Sequence, residues 1–399
     1  MPISSTDNPT ELQREDRLVA ILFDPEGTWS LKAIEGIAEY ARRQGRWRLL
    51  CAPRNRGGRI ELPPGWRGHG ILTRFLTKEF RKECLAYGIP VVDLEAIVKG
   101  RYVDRLATVA TNNQSRAKMV VEHLQSLHLE HFACFNPPHP EYSQERVKLI
   151  KALLQEQRIG CDLFWKRSAQ VWYDLDWEEQ QNHIQAWIKT LRPHTGVVTP
   201  DGRQGRLLSE WCYFLGIRIP DDLAVVTCDD DDLLSSISSP PLSGVALASK
   251  RHGYAAAELL EEMMNGNPAP KEPILIDPLH VVTRQSTDFL TQDNPVIVRA
   301  IRYIRENACV GIRVIDVVKH LAVSRRSLEQ QFQAAVGHSL GQEIRKSRFE
   351  KALWQLSNTD MSVEEIAVSC GFSTGAHLCR SFQQNFGESP LAYRKRSRP

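Results

Sequence analysis

The 399-residue sequence predicts a two-lobed α/β body followed by an all-α domain with two helix-turn-helix units. Three observations predict it. Short apolar runs alternate with amphipathic stretches as far as residue 246, and no strand-like run follows Pro295. The last hundred residues contain an internal repeat. Charge divides at the same boundary: from Pro295 to Pro399 there are 16 Lys and Arg against 9 Asp and Glu, a net +7, while the rest of the chain is −4. A basic tail behind an acidic body suggests that the tail alone meets a polyanion.

The chain is long enough for two or three domains at roughly 150 residues each. A 42% hydrophobic, 25% charged composition excludes wholesale disorder. Apolar runs such as Leu18 to Phe23 fall far short of a membrane span. The opening MPISSTDNPTELQRED has no apolar segment and reads as a flexible arm over 1–16. Nine cysteines stand singly, none in a CxxC pair. That predicts free thiols in a reducing, cytoplasmic compartment, without disulfides or a zinc site.

In the body, 17–290, apolar runs at 18–24, 47–52, 69–75, 89–94, 106–111, 131–136, 196–200 and 223–228 read as strands. Helical spacing at 31–43, 114–127 and 144–157 fills the gaps between them. Continuous apolar strands alternating with helices indicate parallel sheets covered on both faces, here two lobes of about five strands each. A further helix over 248–264 stops at Asn265-Gly266-Asn267-Pro268, and 274–287 reads as a closing strand pair. TQDNP (291–295) is a short polar linker. In the tail, 291–399, Asn294 is an N-cap with Pro295 at the first helical position. Ser324, Leu328, Phe332, Gly337 and Ser339 then recur 50 residues later as Thr374, Leu378, Phe382, Gly387 and Ser389. Each copy is a helix, a turn and a second helix. The outer faces of the second helices carry Arg325, Arg326, Glu329, Gln330 and Gln333 in one copy. In the other they carry His377, Arg380, Ser381 and Gln384. These side chains have the hydrogen bonds needed to read base edges in a major groove.

Residues 366–394, IAVSCGFSTGAHLCRSFQQNFGESPLAYR, closely resemble the signature of AraC-type DNA-binding domains. The resemblance implies two helix-turn-helix units joined by a long helix, here about 339–355, with recognition helices in successive major grooves. Leu378 departs from a common aromatic. Gly375 and Ala376 replace longer polar residues at the start of the second recognition helix. The body is similar to the sugar-sensing domain of LacI-type regulators and periplasmic sugar-binding proteins, through Ile34–Ala38 and 217–230. An α/β two-lobed periplasmic-binding-protein-like body followed by an all-α double helix-turn-helix domain is the arrangement of XylR-type xylose regulators.

A sugar site needs carboxylates, amides and Arg for hydroxyls, and an aromatic wall for C–H faces, at the carboxyl ends of parallel strands. Asp24 and Trp29 follow the first strand, and Asn112 or Asn113 ends another. Asp201 and Asp229 follow two more, and Arg146 lies on the helix after 131–136. The resemblance places Asp201 and Asp229 at sugar contacts and Arg146 at a family arginine. The competing role for the two Asp is helix N-capping, for Arg146 a surface charge, and for Trp29 a core position. His123, His128 and His131 are too irregular for a zinc motif, and the Asp229–Asp232 run lacks supporting ligands. No nucleophile elbow, Walker loop, GxGxxG or HExxH is present, so no catalytic residue, cofactor or metal is expected. The expected protein is a sugar-responsive regulator whose ligand, D-xylose by the resemblance, closes the body and repositions the DNA-binding tails of a homodimer. Its partners are promoter or operator DNA and the sugar, with RNA polymerase as a further partner and no membrane. The rival readings are a regulator of another sugar, a repressor, and a sugar-processing enzyme with a helical accessory domain.

Overall fold

The computed structural model describes residues 16–74, 77–95, 102–127, 129, 131–138, 141–165, 168–288 and 294–398. The arm expected before residue 16, His128 and most of the 291–295 linker lie outside the described residues. The chain divides into two compact units. One is Met1–Ala110 with His252–Ile274; the other is Thr111–Arg251 with Leu275–Pro399.

The first lobe runs β1 (Arg17–Leu22), α1 (Gly27–Gln44), β2 (Trp47–Cys51), β3 (Gly70–Thr73), α2 (Lys78–Ala86), β4 (Val91–Asp93) and β5 (Leu106–Thr111). The second runs α3 (Asn113–Ser126), β6 (His131–Cys134), α4 (Glu141–Glu156), β7 (Cys161–Leu163), α5 (Ala169–Tyr173), α6 (Trp177–Ile188), β8 (Thr195–Thr199), α7 (Gly202–Phe214), β9 (Leu223–Thr227), α8 (Asp232–Ile237) and β10 (Ser243–Ala246). The chain then forms α9 (Ser249–Met264), β11 (Ile274–Ile276) and β12 (His280–Val282). Two six-stranded sheets result, with orders β11-β5-β4-β3-β1-β2 and β12-β10-β9-β8-β6-β7. Their central strands are parallel, and β8 and β9 are buried along their whole length. This is why they read as unbroken apolar runs.

Two expectations are corrected. Each sheet has six strands, not five: β11 adds an edge to the first, and β7 and β10, too short to carry a periodic signal, join the second. The segment 274–287 is not a strand pair: β11 and β12 edge different sheets, and β12 runs antiparallel to β10.

The tail runs α10 (Pro295–Asn307), α11 (Val314–Leu321), α12 (Arg325–Val336), α13 (Leu340–Asn358), α14 (Val363–Ser369), α15 (Gly375–Phe386) and α16 (Pro390–Ser397). The joining helix α13 extends three residues past its expected end. Ser324 Oγ accepts from Ser327 N at 3.2 Å, and Thr374 Oγ1 accepts from His377 N at 3.1 Å. Gly337 and Gly387 end the two recognition helices with φ of 78° and 72°, a left-handed turn that costs glycine nothing. Leu328 and Phe332 are buried with Ile297, Ile301, Ile304, Val317 and Leu321 in one core. Leu378 and Phe382 lie in another with Phe349, Leu353, Ile366 and Tyr393, and that core also takes in Ala248 and Leu279 of the body. Fully burying each such side chain contributes about 1.5–3 kcal/mol. The second helix-turn-helix unit is therefore built onto the second lobe.

Candidate functional site

In the second lobe the candidate ligand residues converge where β8 and β9 end. Asp229 Oδ1 accepts from the Gly202 amide at the start of α7 at 3.0 Å. Its Oδ2 lies 3.4 Å from Arg146 Nη1. Arg146 is 4% exposed and also donates to the Pro200 carbonyl at 2.6 Å. Burial pushes the Asp229 carboxyl up to about 6 against the pull of Arg146, and the neighbouring Asp201 adds to the rise. Asp201 is the N-cap of α7, accepting from Gln204 N at 2.9 Å. The capping geometry considered for the two Asp thus applies to Asp201, whereas Asp229 reaches across from the next strand. Gln204, which the sequence pattern did not single out, is buried beside them, and its Oε1 has no protein partner.

Asn112 caps α3. Its oxygen accepts from Ser115 N at 3.1 Å and its amide donates to Asp277 Oδ1 at 2.8 Å. The Asn113 side-chain oxygen is buried with no protein partner. Of the two asparagines, Asn113 holds the open acceptor.

In the first lobe, Asp24 is ion-paired with Arg54. Trp29 is half-buried, with Arg74 over its ring at 5.2 Å and His252 edge-on at 5.4 Å. Arg74 Nε also donates to Glu95 Oε2 at 2.6 Å. Arg54, Asp24, Arg74 and Glu95 follow β2, β1, β3 and β4, four consecutive strands of the sheet. Arg54, Arg74 and Glu95 were not expected from sequence, although the rule that sites gather at carboxyl strand ends applies to them as well. Each lobe therefore presents paired cations and carboxylates, a donor and acceptor array suited to a neutral polyhydroxyl ligand. Among the described residues no group of His, Cys, Asp or Glu is arranged to hold a metal ion.

On the tail, Arg325, Arg326, Gln330 and Gln333 of α12 are exposed, as are His377, Arg380 and Gln384 of α15. Glu329 and Ser381 are half-buried. Glu329 accepts from Arg325 Nε at 2.9 Å. Gln333 donates to the Gly337 carbonyl at 2.8 Å, and Gln383 donates likewise to Gly387 at 2.7 Å. The 50-residue repeat thus includes a second cap, and Gln333 closes its helix. Gly375 has a local cause. Its amide donates to Glu364 Oε2 at 2.8 Å, and a Cβ there would overlap that carboxylate. His377 is held by Ser373 Oγ at 3.1 Å and lies edge-on to Phe372.

Comparison with known proteins finds likenesses both to parts of the chain and to nearly the whole of it. Residues 121–287 match a periplasmic binding protein-like domain, and 317–396 match a helix-turn-helix domain. The xylose operon regulatory protein of Escherichia coli (strain K12) is 27% identical over 94% of this chain and 96% of its own. That of Haemophilus influenzae is 28% identical over 94% and 97%. The solved structure of a xylose-binding transcription activator, xylR, matches with a TM-score of 0.59 at 25% identity, over 97% of this chain and all of its own. Fold and relatives together define a sugar-responsive, DNA-binding transcription regulator and not an enzyme. Within that class the chain is similar over nearly its whole length to xylose operon regulators, and its helix-turn-helix match follows its binding-protein-like match.

Proposed function

We propose that this protein is a cytoplasmic regulator whose body binds D-xylose and whose tails, paired in a homodimer, bind promoter or operator DNA and activate sugar-catabolic genes together with RNA polymerase. The observation that carries the reading is the buried Arg146–Asp229 pair at the N-terminus of α7. Asp229 and Asp201 accept from ligand hydroxyls, while Arg146 donates. The open oxygens of Asn113 and Gln204 complete the set, with Asn112 holding the loop. In the first lobe Asp24 accepts and Trp29 packs a C–H face. Xylose enters by likeness, since relatives similar over nearly their whole length carry it in their names. On DNA, Arg325, Arg326, Glu329 and Gln330 read bases from α12, and His377, Arg380, Ser381 and Gln384 contact DNA from α15.

The test is calorimetric titration of the full chain with a panel of pentoses and hexoses. D-xylose is expected to bind, and at 100 times its Kd to stabilise by about 2.7 kcal/mol. Binding of a hexose but no pentose would overturn the choice of xylose. Light scattering with and without an operator duplex measures the dimer, and transcription in vitro separates an activator from a repressor.

A further inference from the structure

We infer that Arg284 is a positioning residue, a strut that links the ligand-binding end of β9 to the helix joining the two DNA-binding units. The inference rests on the reading that Asp229 binds the sugar.

Asp230 follows Asp229 directly, and its side chain is 4% exposed. Its two oxygens accept from the two terminal nitrogens of Arg284 at 2.6 and 3.0 Å, a bidentate pair. The same guanidinium donates to the Leu242 carbonyl at 2.9 Å. The Arg284 backbone is pinned by Ser243, whose Oγ accepts from Arg284 N at 2.7 Å and donates to Arg284 O at 3.0 Å. Ser243 also meets Thr287 Oγ1 at 2.7 Å, and Thr287 meets His123 at 2.8 Å. The segment after β12 is thus clamped to the strand ends that hold the ligand residues.

Its other side belongs to the tail. Glu343 of α13 is buried and lies 4.0 Å from Arg305 of α10. Arg305 is ion-paired with Asp288, four residues after Arg284. Upstream, His280 Nδ1 lies 3.0 Å from the Tyr393 hydroxyl, and Arg396 donates to the Pro278 carbonyl at 2.9 Å. Leu279 is buried in the core that holds Phe349, Leu353 and Phe382. Burial, with Arg396 and Arg284 nearby, lowers His280 to about 4, so the ring stays neutral near pH 7.

A buried ion pair adds little net stability over apolar side chains of the same size. It does fix geometry, because a bidentate pair either holds or breaks and does not slide. Any displacement of Asp229 by ligand passes through one peptide unit to Asp230, from there to Arg284 and its segment, and through Asp288 and Arg305 to α13. Both sites then bias one discrete element, the physical requirement for coupling.

The test uses the full chain, D-xylose and a duplex selected from random DNA by the wild type. Two variants are compared with it: the double change Arg284→Gln with Asp230→Asn, which leaves no unpaired buried charge, and Tyr393→Phe, which removes only a hydroxyl. Calorimetry gives D-xylose affinity, and fluorescence anisotropy gives DNA affinity with and without saturating sugar. The double variant is expected to keep both single-ligand affinities within about threefold, while the sugar-dependent change in DNA affinity, on the order of 5–150-fold in coupled systems, falls at least fivefold. Tyr393→Phe is expected to reduce it in the same direction by a smaller factor. An undiminished sugar effect in the double variant, with unchanged single-ligand affinities, overturns the strut. Loss of either single-ligand affinity by more than tenfold also overturns it, since Arg284 then acts in the fold or in a site. A wild type that binds DNA equally with and without D-xylose overturns the regulatory reading itself, and the inference with it.

Discussion

Replacing Asp229 with Asn is expected to make the protein more stable and less able to bind its ligand. The carboxyl sits at about 6 in the folded chain against an ordinary 3.8, so the folded state holds this proton more tightly than the unfolded state. By linkage, the wild type loses stability as pH rises from about 4 to about 6, and the loss is complete above that window. The rise from 3.8 to about 6 corresponds to about 3 kcal/mol. The attraction of Arg146 is already contained in that value, so the neutral amide, which resembles the protonated acid, recovers the full amount at pH 7.5. About half remains to be recovered at pH 5. The same change removes an anionic acceptor from the ligand. A charge-assisted hydrogen bond is worth roughly 1.5–3 kcal/mol, or about one to two decades in affinity. Thermal unfolding of the ligand-free proteins at pH 5 and pH 7.5, paired with sugar titration, measures both effects. A variant less stable than wild type at pH 7.5, or a gain that does not shrink at pH 5, would falsify the account of Asp229 as a carboxylate held at a cost for binding.

Three further outcomes are expected. In selection from random DNA, exchanging Gln330 alters base preference more than exchanging His377, whose ring is held by Ser373 and Phe372; the opposite ranking refutes the asymmetry. Arg380→Ala weakens binding to the selected duplex by about 1–3 kcal/mol, read by anisotropy at fixed salt, with circular dichroism as the control. Gly371→Ala destabilises the tail by more than about 1 kcal/mol, since φ is +77° and the new methyl would lie 2.8 Å from the Ala308 carbonyl; an unchanged Tm excludes that strain.

The elements legible in the sequence were those whose signal is local. Strand 106–111 matches its structural bounds residue for residue, because a full apolar period and a clear stop fit inside it. Strand β7 has three residues and none is fully buried, while β10 reads SGVA; neither is long enough for periodicity to speak. The separate destinations of β11 and β12 depend on pairing with distant strands, which no local pattern encodes. The site follows the same division. Asp201, Asp229 and Arg146 are candidates that strand ends and resemblance single out. Arg54, Arg74 and Glu95 acquire meaning only when the order β2-β1-β3-β4 places each beside its counter-charge. Gln204 has the sequence pattern of an ordinary helical residue, and only its burial sets it apart.

The duplicated caps of the tail have a consequence for the DNA itself. Ser324, Gln333 and Gly337 recur as Thr374, Gln383 and Gly387, so the two recognition helices are built alike and follow one another in the chain. Their outer faces are not alike, because Arg325 and Arg326 in one become Gly375 and Ala376 in the other. One tail is therefore a tandem reader with a head and a foot, and its footprint has a direction along the duplex even when a single chain is bound. An operator for such a reader carries an arrow, and reversing it relative to the start of transcription presents the body on the opposite side.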